Sequence, residues 1–464
     1  MLIPTFILFL EQFQYLYFLY LIGINIITTL MIWSTLKQMF LNYFFDTQTF
    51  LYQVLKTKAY LPISIIAPAF NEEETIITSI SSLLKLDFNE YEIIIVNDGS
   101  QDETLHQIIK HFNLHPVTLP IESKLKHKTI RNIYRSHKYQ NLIVLDKENG
   151  GKSDALNAGI NFSNYPLICC VDADTILEKD ALLQGLERFI QDKRLIAVGG
   201  AIGVINGSTI QNHRLAEKRL SNNFLEGFQV LEYLRGFFAG RVGWQGSNGL
   251  ILISGAFGIF KKDIILKIGG YRHTLGEDFD LLVRMRRYCY ENKIDHRVTS
   301  IAEVLCWTQT PSDYTSLLKQ RSRWQRGLLE TLYHHKKLIF NPKYGIVGMI
   351  SLPYFLFIEA LGPIITFLGI FSLIILYSFE LVTPYTILIF FLLEFIWGIL
   401  LNIFTLYLDI FSTHPYKNNW SYMKLFLFSF LEPFIYKPIL KAELFIATFN
   451  FMNTNWGEIK RKKL

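Results

Sequence analysis

From Phe13 to Trp33 the chain runs for about twenty residues without a charge, and Lys37 ends the run. In hydrocarbon a backbone must satisfy its own hydrogen bonds, so such a run can cross a bilayer only as a helix. We therefore expect a membrane-spanning helix within residues 1–40. A cleaved signal peptide would show a basic start and a small-residue cleavage site, and neither is present. With Lys37 placed inside, the N-terminus lies outside.

The other end, residues 344–464, repeats the theme less cleanly. Leu381 to Leu408 is a second clear span, enclosing Glu394. Tyr344 to Ser378 is apolar but interrupted by Pro353, Glu359 and Pro363. It reads either as one long tilted helix or as an interfacial segment leading into a span from about Leu361. Leu425 to Phe451 contains Glu432, Lys437, Lys441 and Glu443, too many charges for a simple span, and is expected to form interfacial helices. Lys417, Lys424 and the tail Lys460-Arg461-Lys462-Lys463 would lie inside. Three spans are the minimum expected.

These ends carry the apolar excess of a chain that is 50% hydrophobic and only 19% charged; the middle, residues 55–335, is composed like a soluble domain. The net charge of +6 suits a protein pressed on an anionic leaflet, and no dense basic, aromatic-interleaved stripe points to nucleic acid. Cys169, Cys170, Cys289 and Cys306 have neither disulfide nor zinc spacing and read as buried thiols.

In the middle, short apolar runs alternate with helical periodicity, which implies a parallel sheet with right-handed crossovers. Leu61–Pro68 opens into Phe70-Asn71-Glu72, and Tyr91–Val96 ends in Asn97-Asp98-Gly99-Ser100. Residues 113–140 are basic and irregular, a loop or a third strand with its return. Ile143–Asp146 leads into Gly150-Gly151-Lys152, where paired glycines before a helix let a backbone approach phosphate and Lys152 supplies charge. The Walker spacing is missing. Pro166–Val171 ends in Asp172-Ala173-Asp174. On an extended chain i and i+2 share a side, so this pair suits Mg²⁺ or Mn²⁺ shared with phosphate oxygens, or else is a strand end and helix cap. Arg194–Gly199 is a further strand, and Gln211–Arg235 polar helix. Ser254 and Gly255 leave room beside the site. Glu277-Asp278 begins a helix, as favourable first-turn acids or with a general base among them. Last comes Gln320-Arg321-Ser322-Arg323-Trp324, an amphipathic surface helix or a sugar-stacking, diphosphate-neutralising one.

These motifs in this order resemble the membrane-bound processive members of glycosyltransferase family 2, the group of cellulose, hyaluronan and poly-N-acetylglucosamine synthases. The resemblance implies an α/β GT-A domain with a mostly parallel, nucleotide-sugar-binding sheet, cytoplasmic and attached to transmembrane helices of an inner or plasma membrane. It implies inverting, metal-dependent transfer from a UDP-sugar donor to a growing glycan acceptor, coupled to export, with a small membrane or export partner subunit an open prospect. Transfer of a single sugar to a lipid carrier is the alternative. Carried over residue by residue, Glu72 and Asp98 would hold the nucleoside and Lys152 the base or phosphates. Asp172 would contact the donor, and Asp174, helped by Asp172, would bind Mg²⁺ or Mn²⁺. Asp278 would be the base with Glu277 beside it. Gln320, Arg321, Arg323 and Trp324 would clamp acceptor and diphosphate, with Ser254 and Gly255 adjoining. The cyclic-nucleotide domain and gating-loop pattern of cellulose synthase are missing, and the long match from Lys147 to Asn161 lies nearest to poly-N-acetylglucosamine synthases.

Overall fold

A computed structural model describes residues 2–44, 61–120, 122–411 and 415–450. The domain boundary expected at 55 and the basic tail at 460–463 lie outside the described residues.

The strands of the middle region are β1 (Ile63–Ala69), β2 (Tyr91–Asn97), β3 (Leu114–Val117), β4 (Ile130–Ser136), β5 (Leu142–Lys147), β6 (Leu167–Val171), β7 (Ile176–Leu177), β8 (Leu195–Val204), β9 (Thr209–Gln211), β10 (Arg214–Glu217), β11 (Phe257–Lys261) and β12 (Arg297–Thr308). Ten of them form one sheet in the order β3-β4-β5-β2-β1-β6-β11-β8-β12-β7, and β9 pairs with β10 apart. The centre, β5-β2-β1-β6, is parallel, as is β12 against β8, while β4 and β11 join antiparallel. Residues 113–140 thus supply a strand and its return. Between Gln211 and Arg235 the expected single helix is the β9–β10 hairpin followed by a helix only at Phe224–Leu234. Charge without apolar periodicity did not separate hairpin from helix.

The centre reads as unbroken apolar sequence because both faces are covered. Ile65, Ile95, Val144 and Cys169 pack on one side; Ile66, Ile94, Leu145 and Cys170 pack on the other. Each such isoleucine or leucine contributes about 1.5–3 kcal/mol relative to exposure. The register pairs Ala69 with Asn97, Asn97 with Asp146, and Ile66 with Cys170. Four carboxyl ends therefore reach one edge together, where open α/β sheets bind ligands. The Lys152–Phe162 helix sits close on this sheet: a Cβ on Gly159 would lie 2.4 Å from Ile66 Cγ2. All four cysteines are buried free thiols.

Among the described residues two helical stretches, Thr5–Phe40 and Pro384–Ile410, are long and apolar enough to cross a membrane. The third expected span is a pair, Val347–Ala360 and Gly362–Ser378, bent by 51°. Its interruption follows the sequence: Pro363 lies in the first turn of the second helix. Of the stretch expected as interfacial helices, Leu425 to Phe449 is not broken into separate helices but belongs to one 31-residue helix, Asn419–Phe449, with Pro433 and Pro438 inside it. Glu432, Lys437 and Lys441 within it have charged partners. Glu432 accepts from Arg235 at 2.9 Å and from Asn402 at 2.6 Å, and Lys441 pairs with Glu394. The N-terminal helix packs on the bent pair, where Gln14 Nε2 donates to Gly369 O at 2.8 Å, and Trp397 Nε1 donates to Thr28 Oγ1 at 3.0 Å.

Gly159→Val should lower stability by about 1–3 kcal/mol through overpacking, read as a drop in Tm in detergent. Adding Ile66→Ala should recover part of the loss, and an unchanged Tm for the single variant would contradict this packing.

Candidate active site

One cleft of about 2570 Å³ is lined by every site residue expected from sequence, from Glu72 and Asp98 through Lys152, Asp172, Asp174, Ser254 and Gly255 to Glu277, Asp278, Gln320, Arg321, Arg323 and Trp324. It continues past them to Tyr354, Glu359, Leu401 and Lys437 of the C-terminal membrane unit.

At the sheet edge, Asp98 leaves the end of β2 and turns back onto the glycine loop. It accepts from Gly150 N at 3.0 Å and Gly151 N at 2.7 Å, and it pairs with Lys147. Burial raises its carboxyl above the usual value, while Lys147 and the loop N–H groups pull it down. Gly151 has φ +86, a conformation that favours glycine. Asp98 thus anchors the loop, and its oxygens point there. Glu72 accepts from Thr75 Oγ1 at 3.0 Å at the entrance.

The loop delivers Lys152 to the centre. Its Nζ lies 2.7 Å from Asp172 Oδ1 and 2.9 Å from Glu277 Oε1. Burial depresses its affinity for a proton, but Asp172, Glu277 and Asp278 outweigh this and hold it above the ordinary lysine value. Asp278 stands in the first turn of the Glu277–Glu291 helix and accepts from Phe279 N at 2.8 Å and Gly255 N at 3.0 Å. Burial first and Glu277 second push its carboxyl up to about 6, against Lys152 and the two N–H groups. A Cβ on Gly255 would lie 2.8 Å from Lys152 Nζ and 3.8 Å from Asp278 Oδ2, so this position needs glycine for the approach itself.

The Tyr314–His334 helix lines the cleft and braces the turn before Glu277. A Cβ on Gly327 would meet Gly276 N at 2.7 Å, so the helix backbone rests directly on the turn before Glu277. Glu330 accepts from Leu275 N at 2.9 Å, and His335 meets Asp280 at 2.9 Å in full burial. Arg321 forks onto Glu232 at 3.0 and 2.8 Å, and its guanidinium lies 4.1 Å from the Trp324 ring centroid. It is therefore held by a carboxylate, and Arg323 lines the same cleft. Trp324 is 44% exposed, toward the cleft it lines.

Among the described residues no three His, Cys, Asp or Glu side chains form a metal cage. The donor set still fits a shared ion. Asp172, Asp174, Glu277 and Asp278 line the cleft against Lys152, so an entering anion meets excess negative charge. A divalent cation arriving with the anion would remove that conflict, and Asp174 and Asp172 are carboxylates that could hold it.

Sequence reasoning passed over Glu232, Tyr233 and Arg241, which also line this cleft. Lone charges in a helical stretch carried no spacing signal that could have marked them.

The family profile described as Glycosyl transferase family 2 matches residues 64–265, and Glycosyl transferase family group 2 matches residues 167–409, more than half of the chain. The chain belongs to glycosyl transferase family group 2. It is 32% identical over 273 residues to a protein named poly-beta-1,6-N-acetyl-D-glucosamine synthase of Staphylococcus epidermidis, covering 58% of this chain and 55% of that one. It is 30% identical over 271 residues to the protein of the same name in Staphylococcus aureus strain COL, again covering 58% and 55%. The chain thus spans about half the length of the curated relatives it matches. Among solved structures, the mannosyltransferase PcManGT of Pyrobaculum calidifontis in complex with GDP-Man and Mn²⁺ aligns over 92% of this chain and 99% of its own, with TM-score 0.52 and 13% identity. That likeness shows the fold, which is GT-A-like.

Gly255→Ala should reduce turnover by about 10- to 100-fold by displacing Lys152 and the Asp278 contact, with little change in Tm because the displaced atom is a flexible side-chain end. Steady-state rates beside a melting curve check this; full activity would contradict the assigned geometry.

Proposed function

We propose that this family member transfers a sugar from a UDP-sugar to a growing polysaccharide at the cytoplasmic membrane face, with inversion. UDP-N-acetylglucosamine is the donor we favour, from the names of the relatives. The reading rests chiefly on Asp278, a carboxylate pushed up to about 6, in a cleft that runs on to the apolar helices. A base with a pKa near neutrality combines the ionised form with useful basicity.

In the proposed step an acceptor hydroxyl oxygen forms a bond to the anomeric carbon of the donor. The bond from that carbon to the diphosphate oxygen breaks, UDP leaves with the electron pair, and the hydroxyl proton passes to Asp278. Lys152 and the glycine loop held by Asp98 shape the donor side, with Glu72 at its nucleoside end. Arg323 meets the diphosphate, while Gln320 and Trp324 support the acceptor. A divalent ion held by Asp174 and Asp172 would supply charge neutralisation to the leaving diphosphate. Glycan cannot cross lipid unaided, and continuity of the cleft with Glu359 and Lys437 favours export along that path.

Purified protein with Mn²⁺ and UDP-N-acetylglucosamine, UDP-glucose or UDP-glucuronate should release UDP and form polymer. Chelation with EDTA should suppress the activity and added Mn²⁺ or Mg²⁺ restore it. A single glycolipid product would replace polymerisation by transfer to a lipid carrier. Asp278→Asn should lower kcat by about 10²–10⁴-fold. The working form is the ionised carboxylate, so activity is present above the folded pKa and should fall about tenfold per pH unit below about 6. Full activity of Asp278→Asn, or a flat profile from pH 7 to 5, would rule out this base.

A further inference from the structure

Beyond Asp278 the cleft follows the Phe224–Leu234 helix into its continuation, Arg235–Val242. Two arginines on or near this wall are satisfied. Arg235 pairs with Glu432 at 2.9 Å, and Arg321 forks onto Glu232. Arg241 is different. Its guanidinium packs 4.2 Å from the Phe237 ring centroid, and Nη1 donates to Gly236 O at 3.3 Å, a long contact. Its Nε is buried with no hydrogen-bond partner. A buried donor left unmet is costly, and this weakly satisfied guanidinium belongs to a residue lining the cleft that a ligand would enter. Burial works against the Arg241 charge, whereas Asp278, Tyr233 and Glu359 sustain it, which places the guanidinium between the base and the membrane helices.

A terminal acceptor sugar must occupy this interval for its hydroxyl to reach Asp278. A planar guanidinium backed by an aromatic ring offers directional donors toward ring, hydroxyl or acyl oxygens of a neutral sugar. Building on the glycosyl-transfer reading, we propose that Arg241 binds the last sugar of the acceptor chain, a neutral hexosyl or N-acetylhexosaminyl unit, and holds its nucleophilic hydroxyl against Asp278. Arg241 belongs on this account to the acceptor side alone and leaves the nucleotide untouched.

The test measures UDP release from UDP-N-acetylglucosamine with graded N-acetylglucosamine oligosaccharide, alongside UDP binding by calorimetry. Arg241→Ala should raise the acceptor KM by about tenfold or more, leaving UDP affinity and donor KM within about twofold. Arg241→Lys, which keeps the charge and loses the planar fork, should bind UDP normally and recover only part of the acceptor affinity. Either variant with unchanged acceptor KM would overturn the assignment, as would Arg241→Lys with weakened UDP binding. No UDP release by wild-type protein with any UDP-sugar would remove the transfer reading and Arg241's role together. Changes confined to the variants bear on Arg241 alone.

Discussion

The site depends on one cation shared between chain-distant acids. Lys152 reaches Asp172 at the end of β6 and Glu277 at the start of the Glu277–Glu291 helix, at 2.7 and 2.9 Å. These contacts set the sheet edge, where a donor would lie, at a fixed distance from the first turn that carries Asp278. They also set the charge balance. Without Lys152, burial and Glu277 would drive the Asp278 carboxyl higher still, toward its protonated form. Gly255 completes the arrangement by giving Asp278 a backbone N–H without a side chain that would push Lys152 aside.

A second set of contacts ties this centre to the membrane unit. The Tyr314–His334 helix touches the Glu277–Glu291 helix and the turn before it through Gly327 on Gly276, Glu330 on Leu275 and His335 on Asp280. On its other side, Glu232 takes both Arg321 and the Tyr436 hydroxyl of the Asn419–Phe449 helix, and Gln325 Nε2 donates to Ala360 O at 2.8 Å. One helix thus bears on the turn that carries Asp278 and on two elements of the C-terminal unit. Buried ion pairs of this kind add little net stability, but removing one partner is costly, so they specify geometry.

Much of this was legible in the chain. The parallel centre follows from short apolar runs ending in Asn97-Asp98, Asp146 and Asp172, because register on one sheet brings those ends together whatever the loops do. The family resemblance gathered Glu72, Lys152, Asp278 and Trp324, which line one cleft. Partner choice was not legible. The contacts of Asp98 with Gly150 and Gly151, and of Arg321 with Glu232, carry no local signal in the sequence. Nor could the charges of the last apolar stretch reveal that Glu432 and Lys441 have partners on other elements, which lets a continuous helix form. Such pairings depend on contacts across 40 to 200 residues, where local periodicity is silent.

The most direct test of the central claim is a crystal structure of the full chain with UDP and Mn²⁺, read by the anomalous signal of the ion. The account predicts a Mn²⁺ peak joining Asp174 or Asp172 to the diphosphate, with the open end of the diphosphate facing Lys152 and Asp278. A nucleotide or ion seated away from these residues would contradict it.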